Sequence, residues 1–131
     1  MTMSTARVVV LNGSSDRAST TAGGTMTGLA APSVGSKELS TWRVELPIGA
    51  VGPLHSIDHE QVWMQVSGRF TVVVDDQQFQ IGDGQVAVLP AGVVRQIRAD
   101  NGPAVALVCM RSGGTAALPG DTDRRELPWA M

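Results

Sequence analysis

His55 and His59 are the only histidines of the 131-residue chain, and the stretch His55-Ser56-Ile57-Asp58-His59-Glu60-Gln61 adds two carboxylates and an amide. Imidazole titrates closest to neutrality, which makes His55 the leading candidate for a general acid or base and places His59 beside it in a turn. Two imidazoles and a carboxylate also suggest a divalent metal. Strand alternation argues against that reading. Counting back from Gln61 along an extended segment, Glu60 falls on the opposite face, so His55, His59 and Glu60 do not converge. Arg95 brings a permanent cation into the apolar run Val93-Val94-Arg95-Gln96-Ile97. A guanidinium cannot act as a base, but it can hold negative charge that develops on a substrate oxygen. Inside a protein it needs an oxygen-rich partner. Asp58 at a surface mouth, Glu60 turned inward, or a ligand's carboxylate, enolate or carbonyl could supply one.

The elements that must position these residues read as β-strands. Leu39–Leu46 alternates, with Trp42, Val44 and Leu46 on one face. Gln61–Val66, Arg69–Val74, Gln77–Ile81, Gln85–Leu89, Val93–Ala99 and Ala104–Met110 follow. They are separated by Ser67-Gly68, Asp75-Asp76, Gly82-Asp83-Gly84, Pro90-Ala91-Gly92 and Asn101-Gly102-Pro103. Short strands between regular turn signals, with no sustained helical period, predict an all-β fold, an antiparallel sandwich or barrel. Residues 1–36 form an N-terminal segment rich in Ser, Thr and Gly. In it Arg7–Leu11 is β-like, Asn12–Gly23 reads as a mobile or surface loop, and Thr25–Ala31 as a short strand stopped by Pro32. Residues 37–112 carry the barrel pattern, and 113–131 form a tail whose Trp129 is expected to dock in a groove of its own barrel or of a partner.

Parity along those strands directs His55, Ile57, Gln61, Trp63 and Gln65 into the interior from one sheet, and Arg95 and Ile97 from the other. An apolar interior with a few convergent polar groups is the usual makeup of a small-molecule pocket. Gln61 and Gln65 could orient a carbonyl or hydroxyl, Trp63 could stack on a flat substrate, and Met64 could fill gaps against it.

Two stretches resemble the paired motifs of the cupin superfamily. The first runs Gly49-Ala50-Val51-Gly52-Pro53-Leu54-His55-Ser56-Ile57, through Gln61 to Gly68. The second runs Gly82-Asp83-Gly84, through Pro90-Ala91-Gly92, to Arg95. The turn glycines and Pro90 fall in register with the family pattern, and with flanking strands the resemblance covers Glu38–Arg111. It implies a single small jelly-roll-like antiparallel barrel. It also implies four metal ligands at positions 55, 57, 61 and 95, of which only His55 is kept. Ile57 has no donor atom, Gln61 offers a weak neutral oxygen, and Arg95 repels a cation. The reading is therefore a cupin without a metal or other cofactor.

The bulk numbers bound the rest. A net charge of −2 without a basic stripe leaves no driving force for nucleic acid. No apolar run approaches a membrane span, and the first eleven residues lack a signal-peptide core, so a soluble, cytoplasmic protein is expected. The single Cys109, in the apolar run Ala104–Met110, reads as an inert buried thiol. The expected function is acid/base cyclisation, isomerisation or elimination on a small, largely apolar oxygenated metabolite, which the resemblance sets beside tailoring proteins of secondary metabolism. Epimerase chemistry of the family's His–Asp–Tyr type is disfavoured because the chain has no Tyr. The alternatives are a non-catalytic sensor or carrier and a metal-dependent dioxygenase with an atypical ligand set. Family habit and the unpaired N-terminal segment suggest a homodimer.

Overall fold

The computed structural model describes residues 7–131. The first six residues, which belong to the N-terminal segment and to the signal-peptide reading, lie outside the described residues. Alternating sequence makes alternating burial. In β3 (Leu39–Leu46), Ser40, Trp42, Val44 and Leu46 are buried while Leu39, Arg43 and Glu45 are exposed. In β10 (Ala104–Arg111), Ala104, Ala106, Val108 and Met110 are buried in the same rhythm. The two strands pair antiparallel over their full length, from Ala104 opposite Leu46 to Arg111 opposite Leu39.

They form the middle of a six-stranded sheet whose order is β1 (Ala18–Thr21), β2 (Gly24–Gly28), β3, β10, β5 (Gln61–Ser67), β8 (Val86–Leu89). Two three-stranded sheets face it. One has the order β7 (Gln77–Ile81), β6 (Phe70–Val74), β9 (Gln96–Arg98), and the other β12 (Arg125–Glu126), β11 (Thr115–Ala117), β4 (Ser56–Ile57). Single backbone bridges, Val51 to Arg98 and His55 to Arg95, join them along the segment that leads into β4. The result is a jelly-roll-like sandwich of antiparallel strands. The inner faces meet in one apolar core, where Trp42, Val44, Trp63, Phe70, Val72, Ile81, Leu89, Ile97 and Val108 pack together. Trp63 and Phe70 lie with ring centroids 5.6 Å apart at a tilted angle.

The strands from Leu39 to Arg111 fall close to where the sequence placed them, except that Val93–Ala99 shortens to β9 and the two-residue strand β4 is added. Arg95 is instead held by an isolated backbone bridge to His55. The Ser/Thr/Gly island departs further from expectation. Asn12–Gly23, expected as a loop, contains a 3₁₀ turn over Ser15–Arg17 and strand β1, which hairpins onto β2. Its side chains are mostly exposed Ser and Thr, so an edge strand there leaves no apolar period to read. At the hairpin turn Gly24 has φ +130, and a Cβ there would stand 2.5 Å from the Glu45 carbonyl oxygen. Arg7–Leu11 joins no strand among the described residues, and its side chains are exposed. The tail adds β11 and β12 and then docks on its own sandwich. Leu127 and Ala130 are buried, the Ser40 hydroxyl donates to the Ala130 carbonyl at 2.6 Å, and the Ser33 N–H donates to the Met131 carbonyl at 2.8 Å. Trp129 packs half-buried against the core. Among the described residues no helix is long and apolar enough to cross a membrane.

Candidate functional site

The segment before β4 and the start of β9 bring His55 and Arg95 side by side. Each donates its backbone N–H to the other's carbonyl, His55 to Arg95 at 3.0 Å and Arg95 to His55 at 2.8 Å. Their side chains then take different places. The His55 Nδ1 lies 2.8 Å from the Pro53 carbonyl. A carbonyl oxygen only accepts, so Nδ1 carries the proton and Nε2 is left with its lone pair. Desolvation holds the imidazole below its ordinary pKa. The hydrogen bond to Pro53 works the other way, and the nearby Arg95 charge lowers the pKa further.

Arg95 is buried, with 1% of its surface exposed, and its guanidinium faces Gln61 rather than open space. Its Nη2 donates to the Gln61 Oε1 at 2.6 Å, and Nη1 reaches the Val93 carbonyl only at 3.5 Å. Its Nε has no partner, and no carboxylate among the described residues pairs with it. Desolvation lowers its pKa to about 10, which leaves it charged at neutral pH. Arg95 therefore neither reaches the surface nor pairs with Asp58. Asp58 instead binds the Thr115 N–H at 2.6 Å and the Thr115 hydroxyl at 2.9 Å, with Arg124 at 3.5 Å, and so ties β11 to the body of the fold.

Gln61 lies at the centre of this polar cluster. Its Oε1 accepts from both Arg95 and the Trp63 Nε1, the latter at 3.0 Å. Both partners are pure donors, which fixes the amide with oxygen toward them and nitrogen away. The Nε2 meets only the Met110 sulfur, at 3.6 Å, a weak acceptor that leaves donor capacity free.

His55, Ile57, Gln61, Trp63 and Ile97 line one cavity of about 350 Å³, whose deep walls include Trp42, Val44 and Leu46. Arg95 stands behind that wall and does not line it. Three other expected residues also lie outside it. Gln65 is the last β5 residue in register with β10, opposite Ala106 and just before the pairing shifts, and it is half-buried at that end of the strand. Its amide donates to the Gly68 carbonyl at 2.9 Å and to Asp83 at 3.1 Å. Met64 follows Trp63 on β5 and so points to the other face. His59 pairs with Asp58 at 3.1 Å and faces Arg111 at 3.4 Å, on the outside. Cys109 is half-buried rather than buried, because it alternates with the core residues of β10.

The outer wall comes from segments the motifs do not cover. Thr21–Gly23 and Met26 of the β1–β2 hairpin supply one side, and Ala116–Leu118, Asp121, Asp123, Arg125–Leu127 and Trp129 of the tail supply the other. Ala116–Leu118, Leu127 and Trp129, apolar residues on either side of the polar stretch 121–126, are the sequence signal for that side.

A metal held by this fold would require positions 55, 57, 61 and 95. The residues present do not fit one. Ile57 has no donor, the Gln61 oxygen already accepts two hydrogen bonds, and the Arg95 cation touches it. Among the described residues no three His, Cys, Asp or Glu side chains form a metal-binding group.

Residues 42–110 match the model of the cupin domain. No curated protein matches the chain. Among solved structures it is similar to the DMSP lyase DddQ from Ruegeria pomeroyi, at 22% identity and a TM-score of 0.59, over 67% of this chain and 46% of the lyase. It is similar to an oxalate decarboxylase from Bacillus subtilis, at 22% identity and a TM-score of 0.67, over 82% of this chain and 31% of the decarboxylase. It is also similar to KdgF from Halomonas sp., at 21% identity and a TM-score of 0.59, over 68% of this chain and 78% of KdgF. The chain thus spans less than half of the lyase and about a third of the decarboxylase. At such identities these likenesses show the fold. With the family match covering more than half of its residues, the chain belongs to the cupin domain family.

Proposed function

We propose that this cupin is a metal-independent enzyme that binds a small, largely apolar oxygenated molecule and moves a proton next to a carbonyl. Such a step is common to cyclisation, isomerisation and elimination, and tailoring in secondary metabolism is the setting we propose for it. The observation that carries the reading is the pinned His55 ring. With Nδ1–H committed to Pro53, Nε2 is the free basic nitrogen of a residue lining an apolar cavity, and its lowered pKa keeps it unprotonated at neutral pH. In the step proposed, Nε2 takes a proton from the carbon beside a substrate carbonyl. The electron pair moves onto the carbonyl oxygen, which accepts a hydrogen bond from the Gln61 Nε2–H. Arg95, behind Gln61, supplies positive potential where the negative charge develops without contacting substrate. The electron pair then returns from the oxygen, and the imidazolium gives its proton either to another carbon of the substrate or to a group that departs, with the pair of its bond, from the carbon next to the deprotonated one. The fold's lyase and decarboxylase neighbours support an enzyme in general and say nothing of its cofactor.

A binding module is the second reading, favoured by one observation. The strongest electrostatic group, Arg95, is walled off from the cavity. A tetralone in deuterium oxide separates the two, because its α-protons wash out only where a base and an oxygen ligand act together. Exchange catalysed by the native chain and lost in His55→Ala, with tetralone affinity retained, supports the enzyme. Tetralone that binds without catalysed exchange supports the module.

A further inference from the structure

We infer that the cavity selects the un-ionised carbonyl compound and excludes the corresponding carboxylate, a substrate class that rests on the site proposed above. Three observations lead there. First, the deep wall is apolar, with Trp42, Leu46, Ile57 and Ile97 around a single lining amide and a single lining imidazole. Neither side chain carries charge at neutral pH, since His55 is held below its ordinary pKa by desolvation. A carboxylate entering that space sheds its water and finds neutral donors alone in return, the Gln61 amide and the unpartnered Trp129 Nε1–H.

Second, among the described residues the cation near the deep end, Arg95, stands behind the wall, out of a ligand's reach. The Arg95 Nη2 is spent on Gln61, the residue is 1% exposed, and it does not line the cavity. A ligand carboxylate at the deep end therefore cannot form with Arg95 the forked ion pair that makes arginine an anion anchor. What Arg95 offers is potential through the amide, which favours charge that appears on the carbonyl oxygen during reaction over charge that enters with the ligand.

Third, the lining residues contributed by the tail carry a net negative charge. Asp121, Asp123 and Glu126 are exposed and face the same cavity, with Arg125 as the one cation among them. Each carboxylate repels an incoming anion over a distance that salt shortens, from roughly 30 Å at 0.01 M to roughly 10 Å at 0.1 M. A neutral ketone, ester or lactone meets no such barrier.

The test uses two probes with one skeleton, a tetralone and the matching tetralin carboxylate, titrated into the full chain at neutral pH and low ionic strength. Tryptophan fluorescence reports binding, since Trp42, Trp63 and Trp129 line the cavity. The tetralone should bind at least about tenfold more tightly than the carboxylate. That ratio should shrink as salt is added, and shrink again in the triple variant Asp121→Asn, Asp123→Asn, Glu126→Gln. Equal affinities, tighter binding of the carboxylate, a ratio indifferent to both salt and the triple variant, or no binding of either probe each overturn the inference. Deuterium exchange of the tetralone is scored separately. Selective binding without exchange leaves the selectivity standing and removes the chemistry, whereas exchange without selectivity does the reverse.

Discussion

Arg95 donates from Nη2 to the Gln61 Oε1 at 2.6 Å, with both side chains almost wholly buried and no carboxylate paired to the cation. The pair is asymmetric. Arg95→Met removes a costly buried charge and leaves the Gln61 oxygen still bonded to Trp63. Gln61→Leu keeps the charge and removes its best partner. Leaving a buried charge uncompensated costs about 3–5 kcal/mol, whereas replacing the charge by an apolar side chain of similar volume is often near neutral. Urea unfolding should therefore place Gln61→Leu well below Arg95→Met in stability, with the double variant recovering most of the loss. If Arg95→Met were the more destabilising of the two, the buried cation would be a net stabiliser.

The His55 ring makes a prediction in pH. Its pKa is lowered by desolvation and by the Arg95 charge, against the opposing hydrogen bond to Pro53. A base that must be unprotonated loses activity as pH falls through its pKa, so the acid limb of tetralone exchange should lie below the ordinary histidine value of about 6.5. Arg95→Met removes the repelling charge and should move that limb upward. Stability follows the same sign. Below about pH 6.5 the unfolded chain binds the proton more readily than the folded one, so the contribution of His55 erodes as pH falls toward the folded value. A limb that stayed in place in Arg95→Met would show the cation to be electrostatically remote from the ring.

Sequence and structure agree where side-chain period alone decides the outcome. The buried rhythm of Trp42, Val44 and Leu46 was written in the alternation, whereas the unbroken apolar run Ala104–Met110 marks a strand without saying which of its residues face inward. The joint presence of His55, Ile57, Gln61, Trp63 and Ile97 on one cavity follows from strand parity and the turn glycines. Parity says only which face a residue takes, however, and not how far along the strand the cavity extends. Gln65 shares a face and a register with Gln61 and Trp63 but is the last residue before the register shifts, and at that end of the strand its amide finds Gly68 and Asp83. Arg95 shows the other limit. Its place behind the wall is set by the hydrogen bond it makes to Gln61, a long-range pairing that spacing does not encode. The outer wall was illegible for a related reason, since the β1–β2 hairpin and the tail gain their meaning only from packing on each other and on the sheet.

That packing gives a third prediction. A Cβ on Gly28 would stand 2.7 Å from the Trp129 carbonyl oxygen, so the strand carries a glycine where the tail crosses it. Gly28→Val should push the tail off β2 and open the outer side of the cavity. Ser40→Ala removes a buried hydroxyl and strands the Ala130 carbonyl, at a cost of about 1–3 kcal/mol. Both variants should be cut faster by protease within 118–126 and bind the tetralone more weakly, while the β3–β10 pairing stays protected from amide hydrogen exchange. Unchanged proteolysis in both would mean that the tail is held by the Asp58–Thr115 anchor instead.

The last prediction concerns the metal that this scaffold does not accommodate. His55 and Arg95 exchange both backbone hydrogen bonds, at 3.0 and 2.8 Å. Residues opposed in that way hold their Cβ atoms about 5 Å apart, so a histidine at position 95 stands within reach of any ion that His55 binds. Ile57 follows two residues later and lines the same cavity, as does Gln61. Arg95→His removes the opposing charge, Ile57→His adds a donor, and Gln61→Glu supplies an anionic oxygen. Each change alone leaves either the cation or the missing donor in place, so single variants should bind manganese or zinc no better than the native chain. The triple variant should take up one equivalent by elemental analysis and lose it to a chelator. Stoichiometric uptake by the native chain would show that its own four residues, with their guanidinium and aliphatic side chains, hold an ion after all, and the metal-independent proposal would fall with it.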